Sequence, residues 1–511
     1  MVRSRNPADP ARVVWEAATS AAAVDEAVSA ARAAFPKWSA WSMERRVAVL
    51  RRFAQVCKAR AEEIAGVICD ETGKVMWESR AEAGLLAGKV DITLEDAAKP
   101  EAGLRRVAGY QLKLSDSRAG KCWFRPHGVM AVLGPFNFPA HLPNGHIVPA
   151  LAMGNTVVLK PSDKAPAVGQ LLAEFFHEAL DAEVAPPGVV NLVQGAAAVA
   201  GKLAAHDDID GVLFTGSWPV GRRIMEANLD RPGRILALEM GGNNAAVVMP
   251  DADPRQAAIE IVRCAFNTTG QRCTCTRRAI IHRDVAEKLI PAICKAATQL
   301  VIGEPRATHP VFMGPIISEG ARRAVLEAQT AFAKAGGQVL VESTEVQVGD
   351  RGGFYLTPSV VRVDRFTLTT GEQRAARDGV KAGGSCMIDD AGCDVEVFGP
   401  LLRISVADSF DDAIEQANAT RFGLAASIFT KDQAAADRFL REARAGCVNV
   451  NAGTAGASSK LPFGGLGHSG NHRPAGSFSL DYCAYPVAGM LESGPAATVA
   501  EGMRFDDQWL R

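Results

Sequence analysis

From residue 129 onward the chain alternates short β-rich runs with helical ones: VMAVLG then LPNGHIVPALAMG, NTVVLKPSD then AVGQLLAEFFHEAL, VVNLVQG, and GVLFTGS then VGRRIMEANL. Runs as continuously apolar as VMAVL, separated by helical stretches, are what a parallel sheet needs, because each crossover lays a helix on a sheet face and buries both sides. A second alternating set, from about 255 to 450, contains RRAIIHR, AEKLIPAICKAATQL, GGQVLVE, LLRISVA, FDDAIEQANA and LAASIFT. It predicts a second α/β domain. The first hundred residues instead carry apolar positions three and four apart, as in VDEAVSAARAAF and RRVAVLRRFAQVC, and read as amphipathic helices packed against the first sheet.

At 511 residues, 48% of them hydrophobic, the chain has material for two or three cores. Its 56 Lys+Arg balance 57 Asp+Glu without a block of like charge, so neither nucleic acid nor an acidic membrane surface is expected as a partner. The start, MVRSRNPADPARVVWEAA, lacks an apolar signal core. No stretch approaches the roughly 18 uninterrupted apolar residues of a membrane span, and the expected location is the cytoplasm. Eleven cysteines, an odd count spread from Cys57 to Cys483, fit reduced thiols better than a secreted disulfide framework.

Two of those cysteines stand two apart in NTTGQRCTCTRR, residues 267–278, behind a Gly-Gln step and among three arginines. Metal, disulfide and reactive thiol are the three readings of such sulfur. Structural zinc takes cysteines two to four apart with a second Cys/His pair, and neither CxxC nor HxxxH occurs near this segment, so no metal is expected. Arg272, Arg277 and Arg278 are candidates to favour a thiolate by charge, or else salt-bridged or solvated side chains. Elsewhere, VLFTGSWPVGRR puts glycines at a strand end and at a helix start, where free amides suit an anion, although plain turn chemistry fits equally well. Lys160 and Asp163 of LKPSDKAP also follow a strand end, where open α/β sheets bind nucleotides.

Taken together, GPFNFPAHLPNGHIVPALAMGNTVVLKPSD, FTGSWPVG, LALEMGGNN, GQRCTC, EVFGP and LPFGGLGHSG resemble the aldehyde dehydrogenase superfamily in order and spacing across 134–470. NFPAHLPNGHIVPAL, LALEMGGNN, GQRCTCTRR and SGNHRP are most similar to its succinylglutamate-semialdehyde branch, which serves an arginine-degrading succinyltransferase route. The resemblance implies Cys273 as the nucleophile that attacks the aldehyde, Cys275 as a bystander, and Asn137 with the Cys273 main-chain N–H as donors to the oxyanion. Glu239, at the end of the apolar run ILAL, matches the general base that activates the hydrolytic water, and its presence separates the chain from CoA-acylating relatives.

Cofactor residues carry over in the same way: Lys160 and Asp163 for the adenosine ribose, Gly216, Ser217 and Gly221 for the pyrophosphate, Glu396 and Phe398 for the nicotinamide side. Asp163 stands where relatives more often have glutamate, and an acid there favours NAD over NADP. For the carboxylated substrate the expected contacts are a subset of Arg272, His141, Asn144 and Arg473; another carboxylated semialdehyde, such as glutamate 5-semialdehyde, is the alternative substrate. Where relatives commonly read NWNKPLTGASS this chain reads NVNAGTAGASS, so Val450, Ala452 and Gly453 alter a loop bordering the pocket. The expected division is 1–108 with 129–240 for NAD, 241–445 for catalysis, and 109–128 with 475–492 as a bridging element of a homodimer or homotetramer. Residues 366–390 are expected to form an additional exposed loop.

Overall fold

The structure, a computed structural model, describes residues 1–94, 103–368, 394–494 and 499–511. The expected extra loop therefore lies, from residue 369 onward, outside the described residues. Five parallel strands form the first sheet, side by side as Val190–Leu192, Thr156–Lys160, Val129–Leu133, Gly211–Thr215 and Ile235–Glu239. The chain builds outward from Val129–Leu133 in one direction, then crosses to Gly211–Thr215 and builds in the other. Such a reversal opens a crevice beyond the carboxyl ends of the strands, where open α/β sheets bind their ligands.

All five residues of Val129–Leu133 are buried, and alternate ones enter different cores. Met130 and Val132 pack with Trp38, Phe53, Phe175 and Phe176, whereas Val129 and Ala131 pack with Val28, Leu203 and Phe214. The Phe53 and Phe176 rings stack with centroids 3.8 Å apart, joining the helices Met43–Ala59 and Pro166–Ala182. The helix Met76–Leu94 lies in the same cluster through Ala83, Leu86 and Val90. It also buries five polar residues, Glu78, Ser79, Glu82, Lys89 and Thr93.

The second sheet has seven strands in the order Gln338–Val341, Ser359–Arg362, Leu401–Ala407, Thr276–His282, Asn244–Val248, Ala425–Phe429 and Cys447–Val450. Only its first pair is antiparallel. The sheet runs to Val450, past the expected boundary at 445. Arg118–Pro126 pairs antiparallel with both Tyr110–Lys113 and Ala484–Glu492, so the segment before the first parallel sheet and the last strand of the chain meet in a small separate sheet. That sheet exposes Tyr110, Leu112 and Met490.

The N-terminus differs from the helical expectation, because Val2–Asn6 and Asp9–Ala17 form an antiparallel hairpin. The inward-facing residues Val2, Ser4 and Asn6 alternate with exposed arginines. Two of the three buried side chains are polar, so the strand carries no hydrophobic alternation to announce it. Among the described residues, no helix is long and apolar enough to cross a membrane.

Candidate active site

The carboxyl ends of the first sheet carry the nucleotide candidates. Lys160 ends its strand with its side chain almost covered, and burial lowers the affinity of its amine for a proton while nearby Asp163 opposes that change. Gly216 and Ser217 follow Thr215 and lead into the helix Trp218–Glu226, whose first turn has no side-chain cap from Ser217. Pro219 has no N–H and the Val220 N–H is held by the Ser217 carbonyl at 3.1 Å, which leaves the Trp218 amide of the first turn to meet an anion. A Cβ on Gly221 would come within 2.3 Å of the Met240 sulfur, and one on Gly216 within 2.3 Å of the Phe214 ring, so both glycines permit a close approach of helix to strand. An amine and a neighbouring carboxylate at the end of Thr156–Lys160, and an uncapped helix start after Gly211–Thr215, flank the central strand Val129–Leu133 and fit a dinucleotide's ribose and phosphates.

Across the crevice the helix Pro254–Phe266 ends at the cysteine segment. Thr268, Thr269 and Gly270 follow with φ of 53°, 55° and 70°, three successive left-handed residues. Gly270 has no alternative, since a Cβ would sit 2.1 Å from the Gly399 carbonyl oxygen. The two threonines are β-branched and carry strain on the order of 1–3 kcal/mol each. Their side chains are fastened: Thr269 donates to the Gly314 carbonyl (2.9 Å), and Thr268 donates both N–H and O–H to Glu78 Oε1 (3.1 and 2.9 Å).

Beyond the turn, Asn244 Nδ2 donates to the carbonyls of both Cys273 and Cys275 at 2.8 Å, which fixes the path of the loop. Cys275 is fully buried, its sulfur 3.9 Å from the Asn267 carbonyl; Cys273 is partly open. The Cys273 thiol is pushed well up from its ordinary value, by burial first and then by the facing carboxylates of Glu396 and Glu239. The arginines thus do not supply a field for the thiolate. Arg277 donates to the carbonyls of Gly399 and Arg272, Arg278 to those of Asn243, Gln416 and Ala417, and Arg272 to Glu78. Two of them, Arg277 and Arg272, act instead on Cys275.

Glu239 ends the strand Ile235–Glu239 and is 5% exposed. Burial raises its carboxyl well above the usual range, and its Oε2 has no hydrogen-bond partner among the described residues. A Cβ on Gly464 would lie 2.8 Å from its Oε1, so that glycine leaves room beside the carboxylate. Glu396 is raised to about 7 by burial, opposed by Arg277 and by the Gly242 N–H that it accepts at 2.9 Å. Gly241 accommodates it, since a Cβ there would fall 1.7 Å from Oε2. Phe398 meets Phe136 edge-on at 5.8 Å, and Asn137 follows with its side chain nearly covered.

Of the residues expected to meet the substrate's carboxylates, Arg473 alone is exposed. Its neighbour Asn471 is bound on both sides to the strand of Glu239, accepting from Leu238 N–H (3.0 Å) and donating to the Leu236 carbonyl (2.8 Å). Arg272 is half-buried in an ion pair with Glu78 at 2.6 Å, and its Nε donates to Thr268. His141 and Asn144 lie inside the helix His141–Met153 rather than in a turn before it. Asn144 is fully buried with Nδ2 donating to the Leu86 carbonyl, and burial lowers His141 to about 4.

Three buried polar residues belong to no motif recognisable in the sequence, Lys74, Glu78 and Glu82, and a fourth, His146, lies in NFPAHLPNGHIVPAL with no role expected of it there. Lys74 Nζ donates to Glu82 and, at 2.7 Å, to the main-chain carbonyl of Asn137, and it lies 3.9 Å above the Phe138 ring. Glu82 Oε1 accepts the N–H groups of Ala140 and His141, capping a helix whose own N-cap residue offers no side chain. Glu78 and Glu82 stand one helical repeat of four apart in the first two turns of Met76–Leu94, and Lys74 just precedes that helix.

His146 bridges Tyr482 Oη (2.8 Å) and Thr215 Oγ1 (3.3 Å), and burial lowers its imidazole from 6.5 to about 3. The unfolded chain binds that proton below pH 6.5 and the folded one does not, so the stabilising contribution present above 6.5 is lost as pH falls towards 3. The loss should reach about 2 kcal/mol near pH 5. Thermal unfolding at about pH 7.5 and 5 is expected to show a smaller drop for His146→Gln than for the parent chain; equal drops would mean the imidazole is charged in the fold.

Residues 1–368 and 387–486 match the Aldehyde dehydrogenase family. Among curated relatives, the N-succinylglutamate 5-semialdehyde dehydrogenase of Caulobacter sp. (strain K31) is 45% identical over 93% of this chain and 90% of its own. Among solved structures, PnpE in complex with nicotinamide adenine dinucleotide aligns with a TM-score of 0.86 at 29% identity, covering 98% of this chain and 96% of that one. The glyceraldehyde-3-phosphate dehydrogenase GapN of Methanocaldococcus jannaschii, complexed with NADP, aligns at 0.84 and 25% identity, covering 96% and 99%.

Proposed function

The chain belongs to the aldehyde dehydrogenase family, and on that premise we propose that it oxidises N-succinyl-L-glutamate 5-semialdehyde to N-succinyl-L-glutamate with NAD, hydrolysing a cysteine thioester rather than passing it to CoA. The observation that carries the hydrolytic reading is the covered, unpartnered carboxylate of Glu239 facing the Cys273 thiol. The substrate rests on the 41–45% identity, over nearly the whole chain, with curated relatives of that name. Asp163, whose negative charge beside Lys160 would repel a 2′-phosphate, supports NAD over NADP.

In the proposed mechanism the Cys273 thiol gives up its proton to water as Sγ adds to the aldehyde carbon, and the resulting oxyanion is met by the Asn137 side-chain amide and the Cys273 main-chain N–H. NAD, when bound along Lys160, Asp163, Gly216, Ser217, Gly221, Glu396 and Phe398, supplies the hydride acceptor. Glu239 then takes a proton from water as it attacks the thioester, which releases the acid and returns the thiol. Burial raises its proton affinity above that of an ordinary carboxylate, which makes it the stronger base towards that water. The assignment places the enzyme in the cytoplasm as a homo-oligomer, with 1–108 and 129–240 holding NAD, 241–445 carrying catalysis, and the sheet from 109–128 and 475–492 joining subunits through its exposed Tyr110, Leu112 and Met490.

For the substrate's charged tail the exposed Arg473 is the anchor we favour, because Arg272 already serves Glu78. A charge-assisted hydrogen bond is worth about 1.5–3 kcal/mol. Arg473→Leu should raise KM for the succinylated substrate about tenfold or more and leave KM for propanal nearly unchanged, whereas a parallel rise would remove Arg473 from the pocket. NADH formation across a panel of semialdehydes tests the substrate itself. Higher kcat/KM for glutamate 5-semialdehyde or for an uncharged aldehyde would reject the assignment.

A further inference from the structure

Three charged residues at successive four-residue steps, Lys74, Glu78 and Glu82, all point into the protein, with side chains 1%, 2% and 0% exposed. With the half-buried Arg272 they make a quartet of two cations and two anions. Their partners are not scattered. Lys74 holds the Asn137 carbonyl, Glu82 holds Lys74 and the Ala140 and His141 amides, and Glu78 holds Arg272 and the strained Thr268 turn. Phe138 lies between the two halves, with Lys74 Nζ 3.9 Å and the Arg272 guanidinium carbon 5.2 Å from its ring centroid.

We propose that Lys74, Glu78 and Glu82 are positioning residues for the reaction: Lys74 and Glu82 fix the backbone that carries Asn137, Glu78 fixes the loop that carries Cys273, and the common helix start sets one against the other. This rests on the roles assigned above to Asn137 and Cys273. Burial of ion pairs is a poor route to stability, because desolvation consumes most of the attraction and apolar replacements are often as stable. What the quartet does provide is distance. Oxyanion donors act only when held where the charge develops, and displacement by about 1 Å costs on the order of a hundredfold in rate. Lys74 is attached to a main-chain carbonyl, which moves with the Asn137 side chain. Glu78 is attached to the one turn in the loop that would relax if released.

The test separates geometry from folding. Lys74→Met alone leaves Glu82 buried and unpaired and is expected to lower the unfolding temperature. Lys74→Met with Glu82→Gln removes both charges while keeping an acceptor for the two amides, and should restore that temperature to within a few degrees of the parent. If the residues position the donor, the double variant still shows a pre-steady-state NADH burst slowed about a hundredfold, with KM within about threefold. Acylation by 4-nitrophenyl acetate without NAD should slow in parallel, since it uses the same sulfur and oxyanion donors. Glu78→Gln is expected to slow both acylations likewise. A burst rate that recovers together with the unfolding temperature would reduce Lys74 and Glu82 to structural roles, and an unchanged burst in Glu78→Gln would remove Glu78 from the proposal. Asn137→Ala and Cys273→Ala run beside them: parental acylation in either would overturn the functional reading itself, and with it the route from this helix to the chemistry.

Discussion

Cys273→Ala is expected to lose aldehyde oxidation by at least about 10⁴-fold, the scale on which covalent catalysis fails when its nucleophile is removed. Cys275→Ala should stay within a few-fold of the parent. The two sulfurs are two residues apart, but a turn separates them: Cys275 N–H donates to the Arg272 carbonyl at 3.2 Å, and its side chain faces inward. Its one polar contact is a long S···O approach to Asn267 at 3.9 Å. Replacing it costs a small buried group, about 1 kcal/mol. Cys273 instead faces Glu239 and Glu396 in the partly open part of the site. Initial rates of NADH formation for the two purified variants decide the matter. Equal losses would break the assignment of the nucleophile.

Glu239→Gln should leave a burst of NADH, up to one per active site, followed by turnover slowed by a factor of about 10²–10⁴. The asymmetry follows from electrostatics as well as from the role of the base. Glu239 is one of two carboxylates whose charge holds the Cys273 proton in place, so an uncharged glutamine lowers that barrier and spares acylation. Deacylation has no such relief, since water must lose its proton to something. The parent enzyme carries a second signature. Because burial raises Glu239 well above 4.5, the base form appears, and turnover climbs, as pH rises through that elevated value rather than through the ordinary carboxylate range. The variant should lack this limb. Stopped-flow NADH traces over a pH series test both statements, and a suppressed burst with normal deacylation would exclude the assigned role.

Much of this site is legible in the order of the amino acids alone. The parallel sheets announce themselves in runs such as VMAVL and AAVV, because strands covered on both faces leave no polar positions. Cys273, Glu239 and Asn137, the residues proposed to carry the chemistry, stand in short motifs, and the structure sets the Glu239 carboxylate against the Cys273 thiol. The arginines show where such reading fails. Three positive charges beside a cysteine look like support for a thiolate, yet each guanidinium is turned towards carbonyls or Glu78, and only tertiary contacts decide which way a side chain of that length turns. Lys74, Glu78 and Glu82 fail for the opposite reason. Charged residues at a helix start and four apart in its first turns ordinarily mark a solvated face, and nothing local tells that these pack against residues 137–141 and 268–272. The hairpin at 2–17 is hidden because its inward residues include Ser4 and Asn6.

The left-handed turn at Thr268–Gly270 divides the pocket into a wall that can diverge and one that cannot. Between Phe266 and Thr276 each residue is committed: the turn is fitted against Gly399, the carbonyls of Cys273 and Cys275 share one carboxamide, and Gln271 spans from the Thr268 carbonyl to the Ile317 amide. An insertion or deletion here would shift the reactive sulfur relative to all of them at once. In the loop that follows Asn449, Gly453 and Thr454 are committed as well, Gly453 N–H to Glu260 and the Thr454 hydroxyl to the Thr274 carbonyl and the Thr276 hydroxyl. Gly456, Ala457 and Ser458 beyond them are exposed, so libraries built to alter the accepted substrate belong on 456–458, where side chains can change without disturbing 267–276.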